Sequence, residues 1–466
     1  MTDTSAYVGK PAAMIGRAIA AGALDPVSFA ECLLERIVAQ KSPVFLAMTR
    51  NRALTEAKAA GARAKSGRML SALDGVPIGW KDLVDMRGEP TTAASDLYRD
   101  ARPAVEDAPI VKQACAAGMV SLGKLNLTEF AYSGLGLNPH YGSPLNPHAT
   151  DAPRSPGGSS SGSGVAVASG MAPIAIGTDT GGSVRIPAAF NGVTGYKSSE
   201  GRIDTTGVFA LSRTLDTVGP LALTVEDCVL ADAVLRGKVG ASVFRPDPRD
   251  MSIFLPETVV LDDLEAEVAA AFEATIDRLE RAGVGVKRGP LPEFAEAAAL
   301  GVEIGTITAA EAYYEHAQRV DGAERDRIDR RVVARIDVGK TMTAKGLLRL
   351  QRARVAAAKS LMARLDGALL AMPTTPHVAP EIAPLEADDA LFHAVNLKTL
   401  RNTAIGNFLN LPGVAMPNGT GTAGMPTSFL LSAPGGHDTR LLGAALALEP
   451  VVRGEAALPD QQEFER

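Results

Sequence analysis

Cysteine, aromatic residues, excess positive charge and long apolar runs are all scarce in this chain, and each scarcity closes off a class of protein. The 466 residues include three cysteines, Cys32, Cys115 and Cys228, far apart and odd in number. A disulfide framework or a cysteine-spaced metal site therefore cannot organise the fold, and the expectation for all three is a buried, reduced thiol. Aromatics make up 5% of the sequence, with Trp80 the only tryptophan, which leaves no obvious base-stacking surface. The formal net charge is −6, which argues against nucleic acid or an anionic membrane as the main partner. No apolar run approaches the roughly 18 residues of a membrane span; Val165–Ile176 comes nearest and is broken by Gly170 and Pro173. Met1–Lys10 is polar and lacks a signal-peptide apolar stretch, so the expected setting is the cytoplasm.

What is present suits a large globular core: 46% apolar residues against 21% charged ones. Asp25-Pro26 opens a helix, with Phe29, Leu33 and Ile37 repeating every fourth residue along its buried face. A second helix is expected near Ala53–Ala64, and Gly75–Asp82 reads as a strand or tight loop. Asp107–Ala117 reads as helix and Met119–Gly123 as a short strand, an alternation that marks an α/β sheet. Thr224–Asp227 has the form of a capping box. Leu264, Val268, Phe272, Ile276 and Leu279 give a long helix its apolar stripe, ended by Gly283. Residues 293–365 read as mostly helical, with Glu324–Arg331 as a solvated charged face. Ala368–Met372, Val414–Met416 and Ser428–Leu431 read as further strands.

Residues 151–163 are mostly Ser, Gly and Pro. A flexible linker between binding modules has that composition, but apolar segments adjoin it directly and a second Gly-rich turn, 177–183, follows closely. Two such turns separated by a short helix and a strand look like a built site. Cleaving an amide takes a nucleophile, a base and donors for the developing oxyanion. Ser183 ends the turn Gly177-Thr178-Asp179-Thr180-Gly181-Gly182, where glycines let several N–H groups converge. Lys81 lies in the apolar stretch Val76–Leu83; buried there, its ammonium is disfavoured and its pKa falls toward that of a usable base. A bland alternative is a snorkelling lysine or one paired with Asp82. A competing pattern is Gly158-Ser159-Ser160-Ser161-Gly162, which fits a G-x-S-x-G nucleophile elbow with Ser160 as nucleophile and His377, His393 or His437 (beside Asp438) completing an esterase triad.

Three blocks in order, Gly75-Val76-Pro77-Ile78-Gly79-Trp80-Lys81-Asp82, Gly157 through Ser163, and Gly177 through Ala188, resemble the amidase signature family. The resemblance is strong over about 74–237 and fainter over 368–445, where Pro373-Thr374-Thr375-Pro376 and Gly424-Met425-Pro426 carry it; none is claimed for 238–367. It implies an α/β fold, a mixed β-sheet covered on both faces by helices, in a single domain over 1–466 with core segments 70–237 and 368–450 and a variable segment of about 290–365. It also implies Ser183 as nucleophile, Ser159 as a proton bridge following a cis peptide bond, and Lys81 as base. The backbone N–H groups of Thr180, Gly181, Gly182 and Ser183 would form the oxyanion hole. Asp179 and Arg185 would form a structural ion pair, and Ser160 a supporting hydrogen bond. No metal or organic cofactor is implied, and the partner is a small-molecule amide, anilide, carbamate or urea, turned over by a monomer or homodimer. Ser161, Ser198-Ser199 and Trp80 depart from the commonest family pattern, and Ile186 stands where the glutaminase subunit of the tRNA-dependent amidotransferase typically carries Gln. That subunit remains the alternative of a different class.

The substrate pocket is expected to be lined by Tyr132, Leu135, Leu137 and Tyr141 before the Ser-rich turn, by Val208, Phe209 and Leu211 after the nucleophile segment, and by Phe408 and Leu409 near the C-terminal end. Such a lining favours apolar or aromatic groups. It predicts better turnover of an anilide or aryl carbamate than of glutamine, whose carboxylate needs an arginine partner.

Overall fold

The computed structural model describes residues 4–238, 240 and 242–454. Its centre is an eleven-stranded sheet in the order β1-β3-β2-β4-β6-β5-β10-β11-β9-β7-β8. The strands are β1 (Phe45–Met48), β2 (Pro77–Lys81), β3 (Val120–Leu125), β4 (Ile174–Asp179), β5 (Thr194–Lys197), β6 (Thr217–Ala222), β7 (Ser252–Pro256), β8 (Gly285–Gly289), β9 (Leu369–Pro373), β10 (Gly413–Thr420) and β11 (Pro426–Ser432). The sheet is mixed: β2 runs parallel to β3 and β4, and β7 parallel to β8 and β9, while the strands between β4 and β9 pair antiparallel. Every residue of β2, β3, β4, β5, β6, β9 and β11 is buried. Side chains alternate between the two faces of a strand, so burial of all of them means both faces are covered. The edges differ: β8 is largely exposed and β1 only partly buried.

Helices supply the cover. Pro26–Ala39 begins where expected, with the Asp25 carboxylate accepting the Ser28 N–H at 2.9 Å, and Phe29, Leu33 and Ile37 are buried. Arg50–Lys65 and Pro109–Ala116 match the next two expected helices. The stripe of Val268, Phe272, Ile276 and Leu279 is buried along Ala266–Arg281. Thr224 caps Val225–Leu235 by accepting from Asp227 N, but Asp227 Oδ1 accepts from Ala13 N at 2.8 Å, so this carboxylate ties the cap to the N-terminal helix Ala12–Ala20.

The segment 292–365 folds as the helices Pro292–Ile304, Ile307–Val320, Arg330–Lys340 and Ala344–Leu365. The charged run within it divides. Residues 324–327 are exposed, whereas Ile328, Asp329 and Arg331 are buried, Asp329 and Arg331 as a 2.7 Å ion pair. The cysteines also divide: Cys228 is buried as expected, Cys32 is half-buried and Cys115 is exposed, all three free. No helix among the described residues is long and apolar enough to cross a membrane.

Candidate active site

The neighbouring strands β2 and β4 run parallel and end at Lys81 and Asp179, so their carboxyl ends open on one place, where α/β sheets bind ligands. Lys81 is fully buried, and its Nζ lies 2.7 Å from Ser159 Oγ and 2.8 Å from Thr178 Oγ1. Asp82 is not its partner: that carboxylate pairs with Lys124 at 2.6 Å and takes a hydrogen bond from Thr92. No carboxylate forms an ion pair with Lys81 among the described residues. Burial lowers its pKa to about 7, against the weaker opposing pull of the Asp216 and Asp179 charges.

The Ser-rich stretch is no linker. The peptide bond between Gly158 and Ser159 is cis, and Ser160 stands at the start of the helix Ser161–Ala168, which leads back into β4. Ser160 N–H donates to the Ser183 carbonyl at 3.3 Å, and Ser160 Oγ lies 3.4 Å from both the carbonyl and the N–H of Thr178. Gly177 is required here, because a Cβ would stand 2.6 Å from Ser160 Oγ. Ser160 is thus tied to the backbone of β4, and no histidine completes an elbow around it. His377 is held by the Val378 carbonyl and the Thr399 hydroxyl, His393 lies against Phe392, and His437 precedes the helix Asp438–Arg453. Asp438 is taken by Tyr196 and Ser199.

The turn carrying Ser183 is built around Asp179. Its buried carboxylate accepts from Gly182 N at 2.9 Å, Val184 N at 3.1 Å, Arg185 Nε at 3.0 Å and Nη2 at 2.9 Å, and Asn407 Nδ2 at 2.9 Å. Burial alone would raise its pKa, but the Arg185 charge and these donors hold it well below the usual carboxylate range. One expectation needs correction. The Gly182 N–H is committed to Asp179, so it is not an open oxyanion donor. The N–H groups of Thr180, Gly181 and Ser183 have no acceptor among the described residues. Thr180 Oγ1 donates to Asp216 Oδ1 at 2.5 Å, and Asp216 Oδ2 also accepts from the N–H groups of Leu211 and Ser212. Desolvation raises the Asp216 pKa to about 6 against these donors; the residue keeps some exposure, which tempers that rise.

Ser183, Thr180 and Gly181 open on a cavity of about 470 Å³. Tyr132, Leu211 and Phe408 line it as expected. Leu135, Tyr141 and Phe209 do not. Leu135 and Leu137 pack with Ile382, Leu385 and Phe392. Tyr141 lies under the Arg99 guanidinium, and Phe209 stacks on Phe130 and His316. Leu409 belongs to the packed interior, and the half-buried Val208 packs against it. Much of the remaining wall comes from 297–308 and 397–408, and it includes two arginines, Arg335 and Arg401. Sequence reasoning missed these arginines, along with Asp216 and Asn407. All four reach the site from outside the Gly-rich motifs, and nothing in their local sequence marks them.

The sequence profile of the family described as Amidase matches residues 29–442, running through the 238–367 segment that the motifs left unassigned. The 2-amino-5-chloromuconic acid deaminase of Comamonas testosteroni is 35% identical over 419 residues, covering 87% of this chain and 88% of the relative. The A-type subunit of the glutamyl-tRNA(Gln) amidotransferase of Chloroflexus aggregans (strain MD-66 / DSM 9485) is 33% identical over 481 residues, covering 95% of this chain and 96% of the relative. A solved inhibitor-bound complex, described in connection with the evolutionary origins of an s-triazine catabolic enzyme, superposes with a TM-score of 0.84 at 30% identity over 97% of this chain and 100% of that one. With the ordered motifs, the mixed sheet and the buried Lys81–Ser159 contact, these likenesses have one reading: the chain belongs to the amidase signature family.

Proposed function

We propose that this protein is an amidase, a hydrolase that cleaves a non-peptide, amide-type C–N bond in a small molecule through an acyl-enzyme on Ser183. The observation that carries the reading is the fully buried Lys81 amine, 2.7 Å from Ser159 Oγ and without an ion-pair partner among the described residues. Neutral at mildly alkaline pH, it takes the Ser159 proton while Ser159 takes that of Ser183. Ser183 Oγ attacks the carbonyl carbon, and the N–H groups of Thr180, Gly181 and Ser183 hold the oxyanion. Ser159 then protonates the leaving nitrogen as the C–N bond breaks. Water repeats the cycle on the ester and frees the acid. Asp179 and Arg185 position the turn, and Ser160 supports it by donating its N–H to the Ser183 carbonyl.

The Comamonas relative is named for a deamination, which also breaks a C–N bond. An amide, anilide, carbamate or urea suits the same chemistry, in a single domain acting as monomer or homodimer. The amidotransferase relative favours a second reading, a glutaminase subunit of an assembly. Hydrolysis by the isolated chain of amides other than glutamine separates the two.

Trapping tests the proposal. The protein is mixed with a chromogenic anilide or aryl carbamate, quenched in acid and mapped by mass spectrometry. The expected acyl adduct lies on Ser183 and is absent in Ser183→Ala, whose turnover falls about 10⁴-fold or more. An adduct on Ser160 would overturn the assignment in favour of the esterase reading.

A further inference from the structure

Residues 211–216, just ahead of β6, close on themselves. Asp216 Oδ2 accepts the Leu211 N–H at 2.9 Å and the Ser212 N–H at 3.1 Å, and the Ser212 carbonyl accepts the N–H groups of Leu215 at 3.0 Å and Asp216 at 2.8 Å. The helix Ile307–Val320 grips this loop. Its Glu311 accepts the Ser212 hydroxyl at 2.6 Å and the Thr214 N–H at 3.0 Å, and it also takes the Thr214 hydroxyl. One helical turn on, Glu315 pairs with Arg213 at 2.7 Å, but the Arg213 side chain is mostly exposed, so that pair adds little. Glu311 is half-buried, and hydrogen bonds to an ionised carboxylate are about twice as strong as neutral ones. The anchor of the loop is therefore Glu311.

The C-terminal end of the loop meets the nucleophile turn. Asp216 Oδ1 accepts the Thr180 hydroxyl at 2.5 Å, and the next residue, Thr217, donates its hydroxyl to the Asp179 carbonyl at 2.9 Å. That carbonyl and the Thr180 N–H belong to one planar trans peptide unit, in which they point opposite ways. Holding the carbonyl and the Thr180 side chain together fixes the direction of the Thr180 N–H, one of the donors open to the oxyanion. We propose that Glu311 is a positioning residue for this oxyanion donor, acting through the loop that delivers Asp216 to the Thr180 hydroxyl. The proposal rests on the reading of Ser183 as nucleophile, since only then does an oxyanion form at this turn. Thr306, Ile307 and Thr308, at the start of the same helix, line the cavity. One helix of the segment where the motifs were silent thus shapes the substrate wall and sets a donor that acts in the transition state.

The test uses the full chain, its best 4-nitroanilide substrate, and the trifluoromethyl ketone built on the same acyl chain. Ser183 Oγ adds to the ketone carbon and the carbonyl oxygen becomes an alkoxide, which loads the oxyanion hole without turnover; the matching trifluoromethyl alcohol fills the cavity and cannot be attacked. In Glu311→Ala, kcat should fall about tenfold or more, a part of the loss expected when an oxyanion donor is removed outright, while KM changes little. Affinity for the ketone should fall by the same factor and affinity for the alcohol should hold. Glu311→Gln, which keeps an acceptor oxygen, should recover part of both losses. Thr180→Val deletes the hydroxyl and keeps the N–H, so it cuts the route at its last step. In that background Glu311→Ala should cost at most about threefold more, because both changes break one chain of contacts. Unchanged kcat and ketone affinity in Glu311→Ala, equal losses of ketone and alcohol, or fully additive losses with Thr180→Val would overturn the positioning role and leave the Ser183 reading standing. A wild type that hydrolyses the anilide but forms no Ser183 adduct with the ketone would sink that reading, and the positioning role with it. Thermal melts of each variant, with Glu311→Gln read alone where Glu311→Ala does not fold, separate a misaligned donor from a lost fold.

Discussion

Three buried lysines share the region of the site, and their partners set them different tasks. Lys124 is neutralised by Asp82 at 2.6 Å. Lys197 donates to the Ser198 and Leu411 carbonyls, and burial lowers its pKa to about 8. Lys81 faces two hydroxyls and is lowered to about 7. A base works when unprotonated, so kcat/KM should rise with pH through about 7 and level off above it. The sign can be tested further at Asp216. Its negative charge raises the Lys81 pKa, so Asp216→Asn should move the acidic limb to lower pH. Stopped assays across pH 5–10 check both; a limb that moves upward, or a profile already flat from the carboxylate range, would rule Lys81 out as the titrating base. At this scale the sequence was most legible where neighbours in the chain are neighbours in space. Ser183, Asp179 and Arg185 lie within one turn and could be read together. Asp216 and Arg335 could not, because only the fold brings the first to that turn and the second to the cavity wall.

Elements hold the nucleophile turn at a distance. Asn407, on the helix Asp389–Phe408, donates to Asp179 Oδ1 at 2.9 Å and to the Asp179 carbonyl at 3.2 Å, and its own Oδ1 accepts from Arg185 Nη2 at 2.6 Å. Arg185→Met should therefore cost about 3–5 kcal/mol, because it strands a buried carboxylate. Asn407→Ala should cost about 2–3 kcal/mol through unsatisfied buried partners. In both, kcat should fall more than KM rises, since the turn orients the Ser183 hydroxyl and the oxyanion donors. Urea unfolding and steady-state kinetics measure the two effects, and an Asn407→Ala enzyme of native stability would show the network to be dispensable. Helices were legible at this scale because caps and four-residue spacing are local signals, as at Asp25-Pro26. Several strands were not. β6 contains Gly219 and Pro220, β5 is only Thr194–Lys197, and β8 carries Lys287 and Arg288 between glycines. Glycine and proline argue against a strand, and pairing with long-range partners overrides them.

Across the whole molecule, one sheet takes strands from both ends of the chain, and the helices between them close the cavity over Ser183. Motif reading found the part of the cavity lined by Thr180, Gly181 and Ser183. It missed much of the remaining wall, because residues from 297–308 and 397–408 meet there only through the fold. Gly301 gives a way to probe that wall. It lines the cavity from within the helix Pro292–Ile304, and a Cβ added there would meet nothing within 4 Å. Gly301→Ala should stabilise the protein by about 0.5–1 kcal/mol, the usual gain from removing a helical glycine, with activity retained. Gly301→Phe places a ring toward the same open space and shortens the room available to the acyl chain. Long acyl anilides should then lose about tenfold or more in kcat/KM, roughly the worth of one or two displaced methylene contacts, while short ones such as acetanilides should change little, because a Cβ at Gly301 meets no residue of the Ser183 turn within 4 Å. Parallel kinetics over a chain-length series measure this directly, and equal slowing of short and long substrates would show that the helix shapes the nucleophile turn and not the distal pocket.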